Sequence, residues 1–410
     1  NVQWTAKRTR FAESHADTVS AVVLREGKEN DEMKKKRCLA WTLMVALLLS
    51  GCQRSVQPKQ EPIEEEVVEA DQKVRFLAVG DNLIHGLIYA SGAQPDGTYQ
   101  FDSMYARTAD TIAAADIAYI NQETICGGTE LGLQSYPTFN SPYEILDAVA
   151  NAGFDWLSTS SNHSMDVGEQ GIRNQLAHIE TLGLTQTGTH GDESDAQTYR
   201  VMNKNGLRIG LLSYTYGLNG FVLPQGKEYL VDLIDEEKIQ SDMEAIQAIS
   251  DVQIVSMHWG EEYQFAPNEE QQQLAQLLSD LGADVIIGTH PHVLQPADIL
   301  TGEDGNETLV WYSLGNFVSA QDVNDRMLGG MAQWTLVYHP QDASVSFEEV
   351  SFTPTVMYFD GTGSDVQVYP LSEYSDELGA THYIQGQDMS KQYFIDRAEE
   401  IMNDSVELIY

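Results

Sequence analysis

An α/β fold with a substantial sheet is predicted by three features of this 410-residue sequence. Short apolar runs rich in β-branched residues recur from Val74 onward. Each run stops abruptly at polar or ionisable residues. Segments with helical spacing and recognisable start and stop signals lie between several of them.

The runs are Arg75 to Val79, Ile117 to Ile120, Trp156 to Ser158, Ile209 to Ser213, Val252 to Met257, Val285 to Ile287 and Leu309 to Tyr312. Ser141-Pro142-Tyr143-Glu144 reads as an N-cap, a first-turn proline and a third-position Glu. The helix they open runs to about Ala152, with Gly153 as its stop. Residues 169–182, 235–249 and 268–281 also have helical spacing, and Gly183 and Gly282 close two of them. After about Val318 the helical periodicity fades. Residues 331–360 alternate like strands, and 388–405 read as a terminal helix. The expected organisation is a main domain over 74–320, completed by a β-rich extension over 321–410.

The amino-terminal stretch reads as an address. From Met33, four basic residues (Lys34 to Arg37) precede an apolar run, Leu39 to Leu49, too short to span a bilayer permanently. It ends in Leu49-Ser50-Gly51-Cys52, which resembles the lipobox of bacterial lipoproteins. Residues 33–52 are therefore expected to be a lipoprotein signal with Cys52 as the lipidated residue. That places the mature chain on the extracytoplasmic face of the cell membrane. A start at Met33 would make 1–32 an upstream segment outside the translated protein. Residues 53–73, rich in Glu and polar residues, fit a flexible acidic tether. With Cys38 removed and Cys52 lipidated, Cys126 stands alone and no disulfide framework forms.

The chain carries 23 Lys and Arg against 62 Asp and Glu, a net charge of −39. Residues 1–51 hold 9 of the basic and 6 of the acidic residues, so the remainder stands at −42. Such a body repels nucleic acid and anionic lipid head groups. Solubility of an exported protein accounts for most of the acidity, and any anionic ligand must be held locally, by metal ions or oriented N–H groups.

Ligand sites in α/β sheets lie at the carboxyl ends of strands. The ends here read Gly80-Asp81, Asn121-Gln122-Glu123, Ser161-Asn162-His163, His258-Trp259-Gly260, Gly288-Thr289-His290-Pro291-His292 and Ser313-Leu314-Gly315-Asn316-Phe317. Asp, Glu, Asn and His converging from separate strands is what a divalent metal centre of mixed nitrogen and oxygen donors requires. Taken singly, a histidine after a strand is more often a hydrogen-bonded structural residue, and His85, His178, His190, His339 and His382 are read that way. His290 and His292 would face one side of an extended segment. Trp259, Tyr263 and Phe317 are candidates for an aromatic wall at the mouth, with core packing as the competing fate, above all for Phe317.

The segments FLAVGDNLI, INQET, SNHSMDVGEQGI, MHWGEEY, ADVIIGTHPHVLQP and YSLGNFV resemble, in order, the motifs of the CapA family, which includes the PgsA-type proteins of poly-γ-glutamate capsule synthesis. That family is similar in turn to the calcineurin-like metallophosphoesterases. The resemblance implies a four-layer α/β/β/α sandwich with one or two divalent ions (Mn, Fe or Zn). It implies Asp81, Glu123, Asn162, His258, His290 and His292 as ligands, with Glu123 as the bridging carboxylate. His163 would be the general acid beside Asn162, and Asn121, Asn316 and Trp259 would line the site. Leu83 stands where the phosphoesterase pattern has a second His, and Asn121-Gln122-Glu123 replaces its Gly-Asp, so one metal position is expected to be altered. Ser161 stands where the CapA pattern usually repeats Asn. The implied partners are an anionic capsule or cell-wall polymer and membrane-bound synthesis or export subunits. Three functions fit: a metal-dependent phosphoesterase-like hydrolase, a polymer-binding scaffold that does not turn over, and a solute-binding lipoprotein.

Overall fold

A computed structural model describes residues 70–402 and 406–410. The upstream segment, the signal with Cys52, and tether residues 53–69 lie outside them. Four strands, β1 (Gln72–Asn82), β2 (Ile117–Asn121), β3 (Trp156–Ser158) and β4 (Thr185–Thr187), run parallel in one sheet. A second sheet follows in the chain: β5 (Arg200–Lys204), β6 (Leu207–Thr215), β7 (Val252–His258), β8 (Val285–Thr289), β9 (Leu294–Thr301) and β10 (Glu307–Leu314). The chain then returns to the first sheet through β11 (Asn316–Val318), β12 (Leu328–His339), β13 (Ser344–Phe359), β14 (Val366–Pro370) and β15 (Glu407–Leu408). Its order is β14-β13-β12-β1-β2-β3-β4; the second sheet reads β5-β6-β7-β8-β10-β9.

The seven apolar runs singled out from Val74 onward each lie in one of these strands. The runs are continuous because most of these strands are buried on both faces. In β10, Leu309 and Trp311 join the core between the sheets, while Val310 and Tyr312 join the helices Glu236–Gln247 and Glu269–Asp280 on the far side. Trp311 meets Trp334 of β12 at 6.1 Å and Phe352 of β13 at 6.2 Å, and Tyr119 reaches Ser256 across the sheets at 2.6 Å. Helices Glu144–Ala152 and Gly168–Leu182 bury Ile145, Leu146, Val149 and Ile179 in the core of the first sheet. The result is the expected α/β/β/α sandwich, with β12–β14 extending the first sheet.

Local chemistry explains several helix boundaries. Asp235 caps one helix through the Lys238 N–H (2.9 Å), and Asn268 forms a reciprocal capping box with Gln271. Gly153 and Gly183 end their helices in the left-handed conformation. Ser141 is a correction. Its hydroxyl has no hydrogen-bond partner, and the helix starts two residues past Pro142. The Ser141 backbone is committed instead to the loop at Ile125 and Gly128. Gln72 and Lys73, expected in the tether, instead belong to β1 and pair with Tyr338 and Val337 of β12.

Two glycines shape the carboxyl end of β1. The strand bulges between Val79 and Asp81, so that Asp81 lies opposite both Asn121 and Asn316. A Cβ on Gly80 would sit 1.8 Å from the Gly315 carbonyl oxygen, which itself accepts the Asp81 N–H at 3.0 Å. Only glycine permits that approach.

Asp284, just before β8, yields a pH prediction. Burial pushes its carboxyl up to about 7, opposed by the Gln253 N–H. The folded state therefore holds this proton where an unfolded Asp (pKa ~3.9) has lost it, so stability falls as pH rises from about 4 to about 7. Asp284→Asn is expected to melt above the parent at pH 8, with the gap closing towards pH 4. Melting temperatures across that range check this, and a gap that did not change with pH would contradict it.

Candidate metal centre

The carboxyl ends of β1, β2, β7 and β8 and the loop after β3 meet at one buried cluster. Asp81, in β1, accepts the Asn121 side-chain N–H at 2.8 Å and the His290 backbone N–H at 3.2 Å. Its other oxygen lies 3.0 Å from His292 Nδ1. Glu123, just past β2, is 1% exposed, and neither of its carboxylate oxygens has a hydrogen-bond partner. Its nearest ring nitrogens are His292 Nε2 at 3.6 Å and His258 Nε2 at 3.9 Å.

Two sets of ligand atoms gather within 4.8 Å of one another: Glu123, His258 and His290, and Asp81, Glu123 and His292. Glu123 is common to both. The donors fit a divalent cation. Burial raises the Glu123 carboxyl well above its usual range, so its charge needs a partner. His290 Nδ1 is buried without a partner as well. Burial, with the neighbouring imidazoles, holds His258 and His290 well below their usual value, which keeps their lone pairs free at neutral pH. Burial opposes charge on His292 too, but Glu123 and Asp81 outweigh it and push that histidine up to about 9. The field that charges His292 is the field a cation would neutralise.

The surrounding side chains aim the ligands. His258 Nδ1 lies 3.0 Å from Thr289 Oγ1, and its Nε2 lies 2.9 Å from Asn162 Oδ1. Asn316 Oδ1 lies 3.1 Å from His292 Nδ1. The carbonyls of His292 and Arg326 and the Gln321 side chain accept from its amide nitrogen. His163 stands at the edge of the cluster, its Nδ1 2.7 Å from Asp166 Oδ2 and its ring edge-on to Phe139.

The structure thus gathers Asp81, Asn121, Glu123, Asn162, His163, His258, His290, His292 and Asn316 around one point. Trp259 is not part of it. The indole is buried on the helix side of the second sheet, against Tyr312, whose carbonyl accepts its N–H at 3.0 Å. Alternation explains this: in β7, Val255 and Met257 face that core, and Trp259 continues their parity. Phe317 is likewise core, stacked on Tyr105. Tyr263 does reach the cluster, 6.1 Å from the His292 ring. Leu83 is buried and offers no ligand atom. The extended His-x-His segment is another correction. The strand stops at Thr289, and His290 and His292 adopt positive φ of 97° and 59°. They converge by a turn, held by the Asp81 carboxylate and by the Tyr263 N–H on the Pro291 carbonyl (2.8 Å).

Asp166, Tyr216 and Asn219 were not foreseen. Asp166 lies three residues past His163, within the SNHSMDVGEQGI segment. Tyr216 covers His290 at 4.6 Å, while Asn219 contacts both Asn162 and His163. Their loop follows β6 with no periodicity to announce it. The five histidines read as structural are all hydrogen-bonded: His85 to the Leu83 carbonyl, His178 to Asp147, His190 to Asp232, His339 to Ser346 and His382 to the Met357 carbonyl.

The fold and this cluster define a two-sheet α/β protein with buried donors suited to a divalent metal. The chain belongs to the bacterial capsule synthesis protein family PGA_cap, which matches residues 75–321. The PGA biosynthesis protein CapA of Bacillus subtilis (strain 168) is 30% identical over 298 residues, covering 69% of this chain and 71% of that protein. The capsule biosynthesis protein CapA of Bacillus anthracis is 29% identical over 211 residues, and the alignment spans about half of each chain, 50% and 49%. Among solved structures, the NAD nucleotidase of Haemophilus influenzae aligns at 12% identity and TM-score 0.44, over 83% of this chain and 58% of that one. A phosphatase of Mycoplasma pneumoniae aligns at 13% and 0.41, over 70% and 95%. Those scores are too low to carry chemistry from either protein.

Because Glu123 is buried without donors, Glu123→Gln separates its cost from its use. In chelator the variant is expected to melt at or above the parent. With added Mn²⁺ only the parent should rise. Calorimetry in both conditions checks this; a lower melting point in chelator would mean that the carboxylate is satisfied without a cation.

Proposed function

We propose that this protein acts at the extracytoplasmic face of the membrane, anchored through a lipid on Cys52, on an anionic capsule polymer such as poly-γ-glutamate. It works there beside membrane-bound synthesis or export subunits, through a metal-dependent, phosphoesterase-like centre. Family membership supports the capsule role, and the charge of −42 after residue 51 argues against nucleic acid as a partner. The observation that carries the centre is Glu123, a donorless buried carboxylate common to two ligand sets.

Asp81, Glu123, Asn162, His258, His290 and His292 would hold one or two ions, with Mn, Fe or Zn suiting the mixed donors. When bound, such ions lower the pKa of water and polarise a phosphoryl or carbonyl oxygen. The chain's own contribution is orientation and proton handling. Asp166 fixes the His163 ring through Nδ1, which leaves Nε2 to deliver a proton to a departing oxygen. Tyr216 and Asn219 keep bulk water from the histidines beneath them. Leu83 favours a second reading, in which a centre short of one ligand grips polymer without cutting it.

The test is elemental analysis of the purified protein, with Asp81→Ala and His290→Ala alongside. About two equivalents of transition metal, lost in both variants, support a two-metal centre, and one equivalent would mean that the Leu83 and Glu123 departures had cost a metal site. No metal in the parent would overturn the centre. His163→Ala should then keep its metal and lose phosphodiester or polyglutamate turnover by about a hundredfold or more. Polymer binding without turnover in the parent supports the second reading. Cys52→Ser should leave the membrane fraction, and retention there would remove the lipid anchor from the proposal.

A further inference from the structure

In so acidic a chain, an arginine without a carboxylate partner needs explaining. Among the described residues, Arg75, Arg107, Arg173, Arg200, Arg208 and Arg397 each form an ion pair with Asp or Glu. Arg326 forms none. Its guanidinium carbon lies 3.5 Å over the Tyr263 ring, and the adjacent carboxylate, Asp325, is engaged by Arg397 and Tyr393. Stacking occupies the face of a guanidinium and leaves its N–H edges directed outward in the plane, the geometry that grips a carboxylate or phosphate with two hydrogen bonds.

Arg326 is also tied to the metal centre from two sides. Its carbonyl accepts the Asn316 side-chain N–H at 2.9 Å, and the other end of that amide lies 3.1 Å from His292. Tyr263, beneath the guanidinium, donates its backbone N–H to Pro291 between the two histidines, and its ring lies 6.1 Å from His292. Glu262, exposed on the Tyr263 loop, adds negative charge that Glu123 and His292 both feel. Against that charge, Arg326 offers an arriving anion a guanidinium that stacks on Tyr263 and pairs with no Asp or Glu among the described residues.

We propose that Arg326 is the anion-recognition residue of this site. It holds a carboxylate or phosphate group of the ligand at the rim while the buried donors hold the reacting group. This rests on the reading of the cluster as a ligand site, and it adds what that ligand must carry: a second anionic group beside the one at the centre, as a repeating polyanion does.

The test is calorimetric titration of the purified, metal-loaded protein with inorganic phosphate and, separately, with glutarate. Arg326→Gln is expected to weaken binding of one of them about ten- to a hundredfold, the loss of a charge-assisted hydrogen-bonded pair. Arg326→Lys should lose less, and both variants should keep the parent's metal content and melting temperature. Loss confined to glutarate assigns the rim to carboxylates, and loss confined to phosphate assigns it to phosphoryl groups. Unchanged affinity for both anions in Arg326→Gln, or binding of neither by the parent, overturns the proposal. So does a loss matched by falling metal content, which would make Arg326 a support for Asn316. Metal content measured without any anion tests the centre separately, so either idea can fail alone.

Discussion

Glu123 lies between two sheets with both carboxylate oxygens lacking a donor, in surroundings that oppose its charge. Ordinary burial of a carboxylate comes with N–H groups aimed at it, because an unpaired charge in the interior costs several kcal/mol. Here the neighbours are imidazoles, and their states divide around it. His258 and His290 are held neutral by burial, whereas His292, between Glu123 and Asp81, is driven towards its charged form. Whatever protons these groups carry, none of them reaches a Glu123 oxygen at hydrogen-bonding distance. A divalent cation satisfies them, since it accepts lone pairs from neutral histidines and balances both carboxylates.

Holding such a group in place demands a backbone that does not relax away from it. Asp81 comes from a bulged strand whose path depends on Gly80 passing under the Gly315 carbonyl. His290 and His292 sit at positive φ, a conformation that costs non-glycine residues of order 1–3 kcal/mol each and persists only where the surroundings over-determine it. The Asp81 carboxylate on the His290 N–H and the Tyr263 N–H on the Pro291 carbonyl are those surroundings. The strain and the ligand geometry therefore have one origin, because the turn that aims both rings at Glu123 is the turn that extended backbone cannot make.

What was legible in the sequence follows from burial. Central strands covered on both faces appear as unbroken apolar runs, and all seven runs mark real strands. Strands at sheet edges carry no such mark. Thr185–Thr187 is polar throughout, and Arg200–Lys204 is only half-buried, so neither stands out from a loop. The ligands were readable because each follows a run in which no polar residue would otherwise be tolerated. Trp259 shows the limit of that logic: position after a strand places a residue near the site, but parity decides which way it points. Tyr216 and Asn219 lie on a loop whose path is set by contacts with His290, His163 and Asn162 from other strands, information that no local window contains.

The charge of the whole protein and the chemistry of its centre act over different distances. Repulsion of an anionic ligand by a −42 body is long-ranged and fades within roughly 8 Å at physiological salt. Attraction by a cation among buried donors, or by a guanidinium edge on Tyr263, acts at contact and is strengthened where water is excluded. A free monoanion gains little from such a pairing, because one contact must offset the whole approach. A chain bearing anionic groups at regular intervals gains repeatedly, since its first contact holds the next group at high effective concentration. Acidic surface and a cation at the centre, as proposed, would therefore favour a ligand that binds at two points over one that binds at a single point.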